Sequence, residues 1–227
     1  MTLRNALKTC IPSAIVISLM PCAAADAGVF ATMTIDGDFS DWAGVAVVDV
    51  DPADNPGYVD IATTQIANDD DFLYIRQTFH GAPTLNTFTS LDVDDNTATG
   101  FDVFGLGLIG SEASWQNDFA FTQRTGVFND GMGMSGDFFG AGHALLAPFG
   151  DFGSRELAIS RDAVFNRTST PVFPDDTVTL LFWTDSGAGD VSAPVTYALA
   201  VPEPATLNLL AFGGLIALRR RRACRRS

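Results

Sequence analysis

Residues 28–200 predict an all-β fold, an antiparallel β-sandwich of jelly-roll-like form, with one short helical segment before it and one after it. Three observations point there. Short segments rich in β-branched and aromatic residues recur along this span, separated by Asp, Asn and Gly clusters that favour turns. No stretch within it keeps apolar residues at helical spacing for three turns. Its 173 residues are enough to bury one core, and all three cysteines, Cys10, Cys22 and Cys224, lie outside it, so the sandwich is expected to hold without disulfides.

The predicted strands are 31–35, 45–50, 59–67, 72–79, 87–93, 103–109, 119–122, 156–160, 178–183 and 195–199. The clearest is 72–79, where Phe72, Tyr74, Arg76 and Thr78 alternate with Leu73, Ile75, Gln77 and Phe79 and so face opposite sides of a sheet. Asn68-Asp69-Asp70-Asp71 before it reads as the turn of a hairpin with the preceding strand. Residues 161–165 read as a short helical turn. Residues 126–153, with eight glycines and five phenylalanines in 28 positions, read as a long loop over one end of the sandwich.

Both ends carry targeting features. Arg4 and Lys8 precede an apolar run at 11–20 and small residues up to Ala27, the pattern of a secretory signal peptide occupying 1–27. Cleavage is expected after Ala27, with 23–25 as an alternative, and Pro21 makes a poor lipoprotein box around Cys22. Residues 201–227 hold Pro202-Glu203-Pro204, an apolar stretch at 205–218, and the basic block Arg219, Arg220, Arg221 and Arg222. A 14-residue helix covers roughly 21 Å against a bilayer core of about 30 Å, so the stretch is a short transmembrane span, with the arginines held on the cytoplasmic side. Such a tail is an address with a topology first and a permanent anchor second.

Residues 28–200 contain 23 Asp and 2 Glu against five Arg and no Lys, a formal charge of −20. That surface repels nucleic acid, attracts divalent cations and keeps a protein soluble outside the cell. Asp92, Asp94, Asp95 and Asn96, followed by the Thr97 and Thr99 hydroxyls, gather hard oxygen donors at short range, which is what calcium selects; an ordinary Asp/Asn turn is the alternative. Counted as an EF-hand from Asp92, the run has Thr97 in place of the glycine and Val103 in place of the glutamate, so any calcium would sit in a β-type loop completed by distant residues. Trp42 and Trp115 are the candidate ligand-binding aromatics, with Trp183 as a third, although Trp42 also suits a plug at the end of the core and Trp183 suits core packing. Gly105, Gly107 and Gly110 match a dinucleotide-binding fingerprint, but no crossover helix follows and the match is accidental. His80 and His143 are isolated, no spacing suggests zinc, and Glu112 and Glu156 are the only glutamates of the domain. No catalytic residue is assigned; paired aspartates leave a secreted glycan hydrolase as the alternative function.

Pro202-Glu203-Pro204, the apolar span and the arginine block, in that order at the terminus, closely resemble the PEP-CTERM sorting signal of Gram-negative bacteria. The resemblance implies recognition by a membrane exosortase, transient residence of 205–218 in the inner membrane, cleavage near Pro-Glu-Pro, and delivery to the cell surface or extracellular matrix. Ile35-Asp36-Gly37, Asp41-Trp42, Asp71 to Ile75, Asp92 to Asn96 with Thr99-Gly100-Phe101, Glu156 to Ser160 and Asp185-Ser186-Gly187 occur in the order found in family 9 carbohydrate-binding modules, which the domain loosely resembles. That family implies a jelly-roll-like sandwich, often with structural calcium, and sugar binding in some members through an aromatic clamp that is not identifiable here. The expected protein is therefore non-enzymatic and exported, with extracellular polysaccharide as the expected ligand.

Overall fold

The computed structural model describes residues 28–81, 86–150 and 152–202. The signal peptide, Glu203, Pro204, the span 205–218 and Arg219 to Arg222 lie outside the described residues. Two antiparallel sheets face each other. The first contains β1 (Val47–Val50), β2 (Ile61–Asn68), β3 (Phe72–Phe79), β8 (Leu145–Ala147) and β9 (Ser154–Ser160), in the order β1-β2-β3-β9-β8. The second contains β4 (Thr87–Asp92), β5 (Ala113–Gln116), β6 (Phe119–Thr122), β12 (Thr177–Thr184) and β13 (Asp190–Val191), in the order β13-β12-β4-β5-β6, and β14 (Val195–Ala198) pairs with the other half of β12. A small third sheet joins β7 (Met134–Ser135), β10 (Val164–Phe165) and β11 (Thr170–Pro171).

The alternation in β3 sorts its side chains as the sequence predicts. Leu73 and Ile75, with Ile66, Leu157 and Ile159, meet Leu91, Trp115, Leu180, Phe182 and Tyr197 of the second sheet in the central core. The β2–β3 hairpin is tied by Asp69, whose Oδ1 accepts the backbone N–H of Asp71 and of Phe72 at 2.9 and 2.8 Å.

Each sheet is also covered on its outer side. Met33, Trp42 and Val45 of the N-terminal segment pack on Ala67, Tyr74 and Ala158 of the first sheet. Val103 and Ile109 pack with Phe88, Phe121, Leu181 and Trp183 on the second. These covers explain two departures from the predicted strands. Residues 31–35 carry no strand: Phe30 makes one parallel bridge to Asn68, after which the chain crosses the sheet face. Residues 103–109 are a 3₁₀ turn and a loop, because Phe104, Gly105 and Gly107 have φ of 54°, 71° and 65°, which no strand accommodates. The strand of this region is β5, which was not predicted. Residues 126–153 contribute β7 and β8, and 161–165 form a turn leading into β10 rather than a helical turn.

Two buried side chains hold distant segments. Glu156 is fully buried; its Oε1 accepts N–H bonds from Asp36 and Gly37 at 2.8 and 2.7 Å, and its Oε2 accepts the Trp42 indole N–H at 2.9 Å. Asn68 takes both ends of the domain, one with its side chain and one with its backbone: Oδ1 accepts the Ala200 N–H at 2.8 Å, Nδ2 donates to Ala200 O at 2.9 Å, and the Asn68 backbone N–H donates to Val29 O at 2.9 Å.

Replacing Glu156 by Gln points an amide donor at the Trp42 N–H, and Trp42→Phe leaves Glu156 Oε2 without its donor. Each is expected to lower unfolding free energy by about 1–3 kcal/mol in urea titrations. Losses below about 0.5 kcal/mol in both, the range of neutral surface changes, would show that this clamp does not hold the outer layer.

Candidate metal centre

Pairing of β4 with β5 sets Leu91 opposite Ala113 and so brings Glu112 beside Asp92. The Glu112 backbone N–H donates to Leu91 O at 3.0 Å. Asp92, Asp94 and Glu112 each offer a carboxylate oxygen, and the three oxygens lie within 4.8 Å of one another. Asp92 and Glu112 are buried and Asp94 is exposed, so the group opens to solvent on one side.

Local backbone fixes this geometry. Asp92 accepts the N–H of Asn96 on Oδ1 and of Gly110 on Oδ2, both at 3.2 Å. Glu112 Oε2 accepts the Val93 N–H at 3.0 Å, while Oε1 is shielded from solvent and has no hydrogen-bond partner. The Thr99 hydroxyl lies 3.0 Å from both Asp94 carboxylate oxygens. A Cβ on Gly100 would fall 2.7 Å from Glu112 Oε1, and one on Gly110 would fall 2.1 Å from Thr99 O and 2.5 Å from Asn96 O. Gly110, the last glycine of the apparent fingerprint, is thus required by close packing of this loop.

Burial, reinforced by the charges of Asp94 and Asp92, pushes the Glu112 carboxyl up to about 7 against the lowering effects of the Val93 N–H and the Thr99 hydroxyl. A buried carboxylate facing two more carboxylates suits a hard divalent cation; three carboxylates can fill several of the six to eight oxygen positions calcium takes. Of the four ligands predicted from sequence, Asp92 and Asp94 come together. Asp95 is not in the group. Asn96 Oδ1 accepts the Ala98 N–H at 3.1 Å, and Asp95 borders, with Asp175, a cleft of about 290 Å³. Glu112 was missed because it stands 20 positions after Asp92 and reaches the site only through strand pairing.

The aromatic candidates are corrected. Trp42 and Trp115 are both fully buried, Trp115 donating its indole N–H to Gly142 O at 2.8 Å, so neither offers a face to a ligand. Trp183 packs, as its sequence context suggested, stacked on Phe88 with ring centroids 3.8 Å apart. The rings that reach solvent include Tyr58, Phe119, Phe138, Phe139, Phe149 and Phe152. His80 and His143 lie elsewhere, His80 against the Asp51 carbonyl and His143 against Phe119. Pro202 is exposed, just past the last packed residues.

Residues 200–223 match the PEP-CTERM protein-sorting motif. No curated protein is similar to the chain. Among solved structures, a family 9 carbohydrate-binding module from Caldicellulosiruptor kristjanssonii, in complex with cellotriose, is similar at 12% identity and a TM-score of 0.45, over 79% of this chain and 95% of that one.

In metal-free protein the raised Glu112 pKa has a definite sign. The native state holds this proton where the unfolded chain, near 4.5, has released it. The stability contribution is present below pH 4.5 and lost as pH rises through about 7. Melting temperature in chelator should therefore fall over that window, and fall less in Glu112→Gln. Equal slopes in the two proteins would remove the assignment.

Proposed function

We propose that this protein is an exported, non-enzymatic β-sandwich that an exosortase sorts through its tail to the cell surface or extracellular matrix, where it binds polysaccharide and is stabilised by calcium at Asp92, Asp94 and Glu112. The observation that carries this reading is the position of the sorting motif. It begins at residue 200, among the last residues described: Ala200 is hydrogen-bonded to Asn68, while Val201 is 71% exposed. A processing enzyme thus meets accessible chain without having to unfold the domain.

A glycan is the partner class that an acidic surface with solvent-facing rings accommodates, since sugar hydroxyls donate to carboxylates and C–H faces stack on aromatics. One place for it is a cleft of about 410 Å³ lined by Asp71, Phe72, Asp137, Phe138 and Asp162, with Phe138 73% exposed and stacked on Phe72 at 5.6 Å between centroids.

Mass spectrometry of the mature surface protein should find a C-terminus near Pro202 to Pro204. An intact Arg219 to Arg222 block would make the tail an anchor instead. On an extracellular polysaccharide panel the full chain is expected to retain at least one glycan, and Phe138→Ala to weaken retention about tenfold. A blank panel with and without calcium would leave a structural role alone.

A further inference from the structure

The loop joining β1 to β2, residues 51–60, meets the turn between β12 and β13, and the junction sets two carboxyl groups from opposite sheets against each other. Asp51 continues β1, its backbone N–H donating to Ala62 O at 2.9 Å. Asp190 begins β13, opposite Thr184. Ile61 lies where the register of β2 against β3 shifts, and its N–H donates across the sandwich to Asp190 Oδ2 at 2.6 Å. The Asp190 carboxyl is thus held next to the residue that pairs with Asp51, and the two side chains are hydrogen-bonded to each other. Asn55 ties the same two segments, its Nδ2 donating to Val59 O at 2.8 Å and to Ser186 O at 3.0 Å.

Two carboxylates cannot hydrogen-bond to each other, because neither carries a donor. One proton therefore lies between them, and the pair bears one negative charge instead of two. The surroundings favour that state. Asp190 is 3% exposed, and Asp51 Oδ2 is shielded from solvent without a partner, a setting that suits a neutral acid better than an anion. Asp49 from β1, and Asp54 and Asp60 from the loop, face the pair with like charge. From the end of β3, His80 places Nε2 2.9 Å from the Asp51 carbonyl oxygen rather than on a carboxylate. The five arginines donate elsewhere: Arg76 to Gln65, Arg124 to Thr168, Arg155 to Gln77 and Asn117, Arg161 to the carbonyls of Asp69 and Asp70, and Arg167 to Met132. Burial first, then the bond to Asp190, pushes the Asp51 carboxyl up to about 7. Burial raises Asp190 too, against the lowering effects of the Ile61 N–H and of Asp51, so Asp51 donates and Asp190 accepts.

We propose that Asp51 and Asp190 share one proton across the two sheets, a clip that holds the β1–β2 loop to the β12–β13 edge in acid and releases it in alkali. In the unfolded chain both acids ionise near 3.8, whereas the native pair keeps its proton until about 7. The contribution of the clip is whole below about 3.8 and is lost as pH rises through about 7, when the proton passes to solvent and two like charges face each other. The segments that part are those bordering a cleft of about 540 Å³ lined by Tyr58, Asp60, His80 and Ser186, so the same step widens that cleft.

The test uses the full chain in detergent and chelator, with Glu112→Gln as the common background so that the proton at the first carboxylate group does not contribute. Melting temperature and amide exchange are followed from about pH 5 to about pH 9, with carboxyl carbon NMR of the aspartates. The background protein is expected to lose melting temperature in a step centred near pH 7, and its Ile61 amide to exchange at least tenfold faster above the step than below it, after correction for intrinsic rate. Asp51→Asn keeps a donor toward Asp190 at every pH. It should lose the step and melt higher than the background at about pH 8.5. His80→Gln should keep the step. Asp190→Asn, which retains an acceptor for the Ile61 N–H and a donor toward Asp51, gives the same reading if Asp51→Asn fails to fold. An undiminished step in a folded Asp51→Asn or Asp190→Asn protein overturns the proposal, and so does loss of the step in His80→Gln, which would place the proton on the imidazole. Carboxyl signals showing Asp51 and Asp190 both fully ionised at about pH 5 overturn it whatever the variants do.

Discussion

Charge balance is the constraint on which the rest of this structure depends. Twenty-five carboxylates and five guanidinium groups share residues 28–200, so most buried acids have no cation to pair with. The fold answers with backbone amides, which carry a partial positive charge and are already held in place by turns and strands. Glu156 takes Asp36 and Gly37, Asp69 takes Asp71 and Phe72, Asp92 takes Asn96 and Gly110, and Asp190 takes Ile61. Several of these bonds span 100 residues or more, so the acids that look like surface solubilisers in sequence are the cross-links of the domain. Even the buried Arg155 follows the same economy, donating to amide oxygens of Gln77 and Asn117 rather than to an acid.

The sandwich was legible where a strand's two faces differ or where it is continuously apolar. β3 and β6 have their predicted bounds, and β2, β4, β9, β12 and β14 differ by only one or two residues at an end. Legibility failed where apolar residues do work other than pairing. Met33 and Ile35 in 31–35, and Val103 and Ile109 in 103–109, cover the outer faces of the two sheets, and hydrophobic pattern alone does not separate a cover from a strand. β5 is the converse: Ala113-Ser114-Trp115-Gln116 is short and half polar, yet three of its four residues are buried because both of its faces are covered.

The same limit applies to the sites. Donors adjacent in sequence, Asp92 and Asp94, could be found by inspection; Glu112 needed the register of β4 against β5. Tryptophans misled for a related reason: a chain this acidic still needs large apolar volume, and Trp42 and Trp115 supply it.

The grip of Asn68 on both Val29 and Ala200 has a mechanical meaning. Residues 29 and 200 are held at one point, so tension applied between the two ends of the described fold is borne by Asn68 and its neighbours and does not cross the core. Only positions 201–204 separate Ala200 from the apolar span, a tether of at most about 14 Å when fully extended. A pull on the tail therefore reaches the sandwich at the Asn68 pole, where the first residues of the fold are held as well.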